Sequence, residues 1–159
     1  MRVKKIINEA FLILEKNKIK SALLDCEILM SMVLKKSRKF IILNPNHEIN
    51  EKNFLHFKDL INERLKGKPI AYLTGKKEFW KYEFCINENV LIPRPDTELI
   101  IDEVLKIFKY KNKVNLLDIG VGSGCIILSI LKEKINFSGT GIDLSNECIK
   151  LCKINADNL

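Results

Sequence analysis

The pattern that most constrains the fold lies between residues 114 and 132. A short apolar stretch, Val114-Asn115-Leu116-Leu117-Asp118-Ile119, runs directly into Gly120-Val121-Gly122-Ser123-Gly124, and an apolar segment of helical length follows from Cys125 to Lys132. A strand, a glycine turn and a helix in this order are typical of an α/β sheet, with the turn at the carboxyl end of the strand. Glycine lets such a turn bend tightly and approach a ligand with no side chain in between.

A second strand and helix are predicted after this segment. Residues 139–143 are predicted as a strand, and Ser145 is placed to cap a last helix that runs to about Asp157. Strand, helix, strand, helix is the beginning of a doubly wound parallel sheet. Two parallel strands do not make a stable open sheet by themselves, so the sheet is expected to be incomplete in this sequence.

The first seventy residues predict helices alone. Apolar residues recur at helical spacing between residues 2 and 16, and Ser21 is expected to cap a second helix. A short helix is predicted over residues 37–43, and Asn50 is expected to cap a fourth helix that ends near Gly67. We expect residues 1–71 to form a small helical bundle.

A β-hairpin linker is predicted over residues 72–92. The segment Glu78–Ile86 is aromatic and β-prone, and residues 87–89 supply turn-forming side chains before Val90-Leu91-Ile92. The prolines that follow end the extended run, and Asp96 is expected to cap a helix through about Phe108. The predicted fold class is therefore α/β, with a helical bundle, a hairpin linker and an α/β domain that begins at residue 93.

Composition excludes several classes of protein. Of the 159 residues, 47% are apolar and 30% are charged, which indicates a globular protein without a membrane-spanning segment or a secretory signal, and therefore a cytoplasmic one. The net charge of +7 arises from 23 Lys and only 4 Arg. Arginine is the residue favoured for bidentate phosphate contacts, so a solvated lysine-rich surface is favoured over direct nucleic-acid binding.

The cysteines and histidines indicate no metal site. Five cysteines occur without a Cys-x-x-Cys pair, and Cys148 and Cys152 share one face of a predicted helix with no other ligand pattern nearby. Free thiols in a reducing compartment are the expected state. His47 and His56 have no partners in sequence that indicate catalysis.

The residues around the glycine loop favour one kind of ligand. A phosphate loop of the Walker type requires a lysine, and a dinucleotide loop would have its third glycine at the position of Cys125. Asp118 would repel a pyrophosphate, whereas S-adenosylmethionine carries an ammonium and a sulfonium group that a carboxylate favours. Asp143 ends the second strand, where an acid can accept hydrogen bonds from ribose hydroxyls. The alternative is that both acids only cap turns and that the glycine turn holds no ligand.

Several motifs resemble those of one enzyme family. The stretches Pro69-Ile70-Ala71-Tyr72-Leu73-Thr74-Gly75, Glu78-Phe79-Trp80, Leu91-Ile92-Pro93-Arg94-Pro95-Asp96-Thr97-Glu98 and residues 117–124 resemble, in the same order, the bacterial protein-glutamine N5-methyltransferases that act on peptide chain release factors. Leu24-Asp25-Cys26-Glu27-Ile28-Leu29 fits their N-terminal domain. The resemblance covers essentially the whole chain.

The resemblance implies a Rossmann-like class I methyltransferase domain that begins at residue 93, after a substrate-recognition domain over residues 1–71. It implies S-adenosylmethionine as cofactor and a release factor as protein partner, with no metal, no membrane and a monomeric state. By position, the implied cofactor-binding residues are Gly120, Val121, Gly122, Ser123, Gly124 and Asp143, with Asp118, Arg94 and Thr97 as further candidates. Other interpretations of Arg94 and Thr97 are an ion pair with Asp96 or Glu98, and helix capping.

One family motif does not occur in this sequence. The Asn-Pro-Pro-Tyr motif, which in the family is thought to orient the glutamine amide, is expected beyond Leu159, so no catalytic residue is assigned and these 159 residues alone are expected to be inactive. Two alternatives to a release factor methyltransferase remain. One is an amino-methyltransferase of nucleic acid. The other is a non-enzymatic adaptor that binds a release factor or the ribosome.

Overall fold

A computed structural model describes all residues from Met1 to Leu159. The chain divides into two compact units, Met1–Thr74 and Gly75–Leu159. None of the helices combines the length and the apolar character that crossing a membrane requires.

The first unit consists of helices. Their bounds are α1 (Val3–Lys16), α2 (Ala22–Leu34), α3 (Arg38–Leu43), α4 (Glu51–Leu65) and α5 (Ile70–Thr74). The first four confirm the sequence-based prediction. Helix α5 was not predicted, because five residues are too few to show a helical period.

Of the two caps predicted in this unit, one forms as expected. The side chain of Asn50 accepts a hydrogen bond from the Asn53 N–H at 2.8 Å, and Ser37 caps α3 in the same way through the Phe40 N–H at 3.1 Å. Ser21 precedes α2, but its hydroxyl donates to the Asp25 carboxylate at 3.0 Å instead of capping the backbone.

One ion pair of the first unit includes a buried carboxylate. Large side chains from α1, α2 and α4, including Leu14, Leu29 and Phe57, are almost fully excluded from solvent. Among them, Asp25 is only 3% exposed and accepts a hydrogen bond from Arg64 Nε at 2.7 Å. The Arg64 side chain is 19% exposed, so the pair joins α2 to α4 with its carboxylate in the apolar core and its guanidinium partly in solvent.

The second unit begins with a β-hairpin whose turn is not the predicted one. Strand β1 (Lys76–Phe79) pairs antiparallel with β2 (Tyr82–Cys85), so the turn is Trp80-Lys81. The predicted turn at residues 87–89 does form, with the Val90 N–H donating to the Asn87 carbonyl at 3.2 Å, but the strand predicted at 90–92 does not, so a hairpin closed by this turn was a wrong prediction. Trp80 has a φ of +58°, a conformation that a bulky side chain rarely adopts, so its sequence carries no turn signal.

The hairpin turn is stabilised by contacts from distant residues. The Trp80 N–H donates to Glu98 Oε1 at 2.8 Å, and its indole Nε1 donates to Glu133 Oε1 at 3.1 Å. Tyr82 and Lys81 bind the same Glu133 carboxylate, which lowers the pKa of Glu133, chiefly through the Lys81 ammonium. Such a turn normally has glycine or asparagine at the positions with positive φ. Here the contacts with Glu98 and Glu133 stabilise the turn without them.

The helix after the prolines begins later than predicted. Residues Pro95–Thr97 form a single 3₁₀ turn, and helix α6 then extends over Glu98–Ile107. Asp96 therefore lies inside the 3₁₀ turn and does not cap α6, which corrects the prediction. The fixed φ of Pro95 favours the tight first turn.

The rest of the second unit is a parallel strand pair with two helices. The elements are β3 (Asn115–Ile119), α7 (Cys125–Glu133), β4 (Ser138–Ile142) and α8 (Asn146–Asn158). Strands β3 and β4 are parallel, with Leu117 opposite Thr140. The predicted order of strand, helix, strand and helix is confirmed, and Ser145 caps α8 through the Cys148 N–H.

Side chains of α7 and of the glycine loop cover one face of this strand pair closely. A Cβ atom at Gly139 would lie 2.7 Å from Ile127 Cδ1, and one at Gly141 would lie 2.6 Å from Val121 Cγ2. Both distances are shorter than any van der Waals contact, so these two glycines are needed for α7 and the loop to approach β4.

The opposite face of the strand pair is open. Leu117, Ile119 and Ile142 are 62%, 75% and 46% exposed. Apolar side chains left in water forfeit burial energy, roughly 1.5–3 kcal/mol for each large one. The strand pair therefore lacks a part of the stabilisation that the core of the first unit has.

We expect this difference to appear in hydrogen exchange. The opening that exposes the β3 backbone amides to solvent should require less free energy than the opening of α1 and α2. The β3 amides should therefore exchange first in the 159-residue chain. The exposed apolar face should also make the chain associate as its concentration rises. Equal protection in β3 and in α1 would contradict this prediction.

Candidate functional site

The candidate site is the loop Gly120–Gly124, which connects β3 to α7. Its first two N–H groups, those of Gly120 and Val121, both donate to the Ile142 carbonyl of β4 at 2.8 and 3.0 Å. The Gly124 N–H then donates back to the Val121 carbonyl at 2.8 Å. The loop is thereby held at the carboxyl ends of both parallel strands, which is where ligands bind in open α/β sheets.

The loop glycines leave space on one side and are tightly packed on the other. All three have positive φ, and a Cβ atom at Gly120 would meet nothing within 4 Å. At Gly122, with a φ of +53°, the nearest atom would be the Gly120 carbonyl oxygen at 4.0 Å. At Gly124 a Cβ atom would lie 2.6 Å from Cys152 Sγ. The first two glycines therefore keep an open cradle, whereas Gly124 allows α8 to approach.

Asp143 lies immediately after β4 and holds the loop from the side. Its Oδ2 atom accepts a hydrogen bond from the Gly122 N–H at 2.9 Å, and its Oδ1 atom accepts from the Ser145 N–H at 2.9 Å. These backbone donors, Ser145 foremost, lower the pKa of the carboxyl group, so it is charged at neutral pH. Asp143 therefore also caps the turn that follows it, which is the alternative considered from the sequence. A carboxylate has about four lone-pair sites, so Asp143 can accept more hydrogen bonds than those from Gly122 and Ser145.

Asp118 is the last residue but one of β3, two positions before the loop. Its Oδ2 atom is buried and has no hydrogen-bond partner. Burial raises the pKa of this carboxyl group, the nearby Asp143 adds to the effect, and the backbone N–H of Ile127 partly offsets it. An unpartnered buried carboxylate oxygen is costly, and a cation placed there would relieve that cost.

The two further candidates from the proline motif are not joined to the loop. Arg94 is exposed and forms no ion pair with Asp96 or Glu98, and the Glu98 carboxylate accepts a hydrogen bond from the Trp80 N–H. The Thr97 side chain makes no capping hydrogen bond to α6. Neither residue hydrogen-bonds to Gly120–Gly124. The two alternatives considered from the sequence, an ion pair and a helix cap, are therefore not observed.

The thiols around the loop are in their neutral form. Burial raises the pKa of both Cys125 and Cys152, and it raises the pKa of Cys26 in the first unit to about 12. All five cysteines are free, and no cluster of three or more His, Cys, Asp or Glu side chains has the arrangement of a metal site. The cysteines near the loop therefore act as small packing groups.

One residue of the site, Asn155, was missed by sequence reasoning. Ser123 and Val121 are buried, and the Ser123 carbonyl accepts a hydrogen bond from the Asn155 side chain at 2.8 Å. Asn155 lies in α8, 32 residues further along the chain. A single asparagine in an amphipathic helix carries no signal of such a contact.

Fold and site together define an α/β unit with a glycine-rich loop at the ends of two parallel strands, in a chain that also contains a helical unit. Comparison with known proteins agrees with the motifs. Residues 5–75 match the PrmC N-terminal domain. The chain is similar to the release factor glutamine methyltransferases, which confirms the resemblance seen in its motifs.

Three relatives illustrate the extent of the match. The release factor glutamine methyltransferase of Clostridium acetobutylicum is 38% identical over 100% of this chain and 56% of its own length. That of Caulobacter vibrioides is 37% identical over 86% of this chain and 47% of its own length. A bifunctional methyltransferase of Rickettsia typhi is 36% identical over 96% of this chain and 33% of its own length. The chain thus spans about half the length of the release factor glutamine methyltransferases it matches.

Proposed function

We propose that this chain contains the cofactor-binding part of an S-adenosylmethionine-dependent enzyme that methylates the N5 amide nitrogen of a glutamine in peptide chain release factors. The observation that carries this proposal is the open glycine cradle between Asp118 and Asp143, at the ends of two parallel strands. The names of the relatives support the protein substrate. We assign the α/β unit to the Rossmann-like class I methyltransferases.

The residues of the cradle fit the charge of this cofactor. S-adenosylmethionine supplies an electrophilic methyl group on a sulfonium, and it carries an ammonium group as well. The buried, unpartnered Oδ2 atom of Asp118 favours positive charge, whereas a pyrophosphate would be repelled there. The absence of side chains at Gly120 and Gly122 lets the ligand approach the backbone of the loop.

The role proposed for Asp143 is to hold the ribose. Its carboxylate is kept charged and oriented by the Gly122 and Ser145 N–H groups, and it retains acceptor capacity for ribose hydroxyls. Gly120, Val121, Gly122, Ser123 and Gly124 surround the methionine portion in this proposal. Arg94 and Thr97 remain candidates for the same pocket only on the basis of the family resemblance.

Replacing Asp143 with alanine tests the proposal. We expect Asp143→Ala to weaken S-adenosylmethionine binding roughly 5- to 150-fold, the range for losing hydrogen bonds to a charged partner. Titration calorimetry on the 159-residue chain would measure it, with Asp157→Ala in the same unit as a matched control that leaves the affinity unchanged. A variant that still distinguishes the cofactor from its deoxyribose analogues as the wild type does would contradict the ribose role.

No catalytic residue is proposed among these residues. An amide nitrogen is a poor nucleophile because its lone pair is delocalised into the carbonyl, so methylating it depends on orienting the amide. The resemblance assigns that task to an Asn-Pro-Pro-Tyr motif. What we propose for residues 1–159 is binding of the cofactor and of the protein partner.

For the domains we propose a recognition domain over residues 1–71, a linker over 72–92 and the start of the methyltransferase domain over 93–159. The charge of the chain supports the first assignment. Residues 1–74 contain 15 Lys and Arg against 8 Asp and Glu, whereas residues 75–159 contain 12 of each. The whole net charge of +7 thus lies in the helical unit, which favours an acidic surface on the partner.

A further inference from the structure

The side chain of Asn155 makes three hydrogen bonds inside the second unit. Its Oδ1 atom accepts from the Cys85 N–H at 2.7 Å, and its Nδ2 atom donates to the Cys85 carbonyl at 3.1 Å. The same Nδ2 atom donates to the Ser123 carbonyl of the glycine loop at 2.8 Å. One amide group from α8 therefore binds both the end of β2 and the loop.

The chemistry of these contacts requires a carboxamide. Asn155 is 1% exposed, and its partners offer one N–H donor and two carbonyl acceptors. Among short side chains only asparagine presents one acceptor and two donors in a plane. A buried polar group without partners would be costly, so the site is matched to this one residue.

The contact at Ser123 completes the attachment of the loop. Gly120 and Val121 are held by the Ile142 carbonyl, and Gly122 by Asp143. Ser123 is 3% exposed, and without Asn155 its carbonyl oxygen would lose its side-chain donor. The loop backbone is thus bound on one side by the end of β4 and on the other by α8.

We propose that Asn155 is a positioning residue that sets the conformation of the Gly120–Gly124 loop and couples it to the end of strand β2. Its effect on cofactor affinity rests on the proposed function, whereas its effect on the loop itself does not. A preorganised loop binds its ligand without a further ordering cost, so a loop released from Asn155 binds more weakly.

Two substitutions test this role. Asn155→Asp keeps an acceptor for the Cys85 N–H and nearly the same volume but loses both donors, and Asn155→Leu loses all three hydrogen bonds at a similar size. We expect faster exchange of the Gly122 and Gly124 amides in both variants without cofactor, and an S-adenosylmethionine affinity at least tenfold lower in calorimetry. The effect should be larger for Asn155→Leu.

Asn158→Ala is the matched control. Asn158 lies one turn further along α8 and donates to Cys85 Sγ at 3.6 Å, but it is exposed and does not touch the loop. We expect wild-type amide exchange in the loop and wild-type affinity for this variant. Folded Asn155 variants whose loop exchange and affinity match those of Asn158→Ala would overturn the positioning role.

The outcomes separate this inference from the proposed function. If the wild-type chain binds no S-adenosylmethionine, the proposed function fails, and the hydrogen exchange of the Gly122 and Gly124 amides alone then decides the role of Asn155.

If the variants do not fold, the role of Asn155 is tested on the wild-type chain by nuclear magnetic resonance. The Asn155 side-chain NH₂ protons should exchange slowly and shift when the cofactor is added. Exchange of these protons at the rate of a solvated amide would refute the inference.

Discussion

Gly122→Val should reduce S-adenosylmethionine binding more than about 100-fold, or about 2.7 kcal/mol. The space beside Gly122 is open, and a branched side chain would fill the cradle that the ligand is proposed to occupy. The backbone φ of +53° adds strain of about 1–2 kcal/mol for any residue with a Cβ atom, which would also move the loop. Titration calorimetry on the purified chain would measure the loss directly.

Gly67→Val is the control for backbone strain. Gly67 has a φ of +94° and a Cβ atom there would meet nothing within 4 Å, but this glycine lies in the first unit. The substitution should lower the stability of that unit and leave the cofactor affinity unchanged. If the Kd of Gly122→Val is within about threefold of the wild-type Kd, a difference of about 0.7 kcal/mol in binding free energy, the assignment of the glycine loop as the cofactor site fails.

Arg64→Met should lower the free energy of unfolding of the first unit by about 3–5 kcal/mol. The substitution removes the guanidinium that donates to Asp25 at 2.7 Å and leaves a carboxylate that is 3% exposed with only the Ser21 hydroxyl as donor. Hydrogen exchange in α2 and α4 would report the change, because the single tryptophan, Trp80, lies in the other unit and would not.

Two further variants show whether the loss of stability comes from the unpaired Asp25 carboxylate or from the removal of the arginine side chain. Arg38→Met breaks the pair between Arg38 and Glu27, in which the arginine side chain is 50% exposed, and should change stability by no more than about 1 kcal/mol. The double variant Arg64→Met with Asp25→Leu removes both charges of the pair and should recover most of the lost stability. A loss below about 1 kcal/mol for Arg64→Met alone would show that the Asp25 carboxylate is well solvated.

Local signals explain the parts of the fold that sequence reasoning predicted correctly. The helices α1 to α4 follow from apolar spacing, and the cap at Asn50 depends on a contact three residues away. The same holds for the order β3, α7, β4 and α8, because a glycine turn between an apolar strand and a helix is a local feature. The start of α6 was placed too early, since a 3₁₀ turn and an α-helix have the same local signals there.

Contacts between distant residues explain the errors. The hairpin turn at Trp80-Lys81 is stabilised by Glu98 and Glu133, which lie 18 and 53 residues from Trp80, so no local pattern could indicate it. The open face of the strand pair agrees with the incomplete sheet expected from two parallel strands, whereas the burial of Ile127, which is 4% exposed, depends on the packing of α7 against β4.

The sequence by itself determined the helical unit, the α/β unit, the family resemblance and the position of the glycine loop, because the apolar period, the capping residues and the motifs are local patterns of a few neighbouring residues. The tertiary structure decided how the site is assembled. Only folding brings Asp143 to the Gly122 N–H and the Asn155 amide to the Ser123 carbonyl, and only folding leaves the Oδ2 atom of Asp118 buried without a partner. The contacts of Asp143 and Asn155 with the loop and with β2 join residues 21 to 70 positions apart, where hydrogen bonding and burial depend on the packed chain and not on its local sequence.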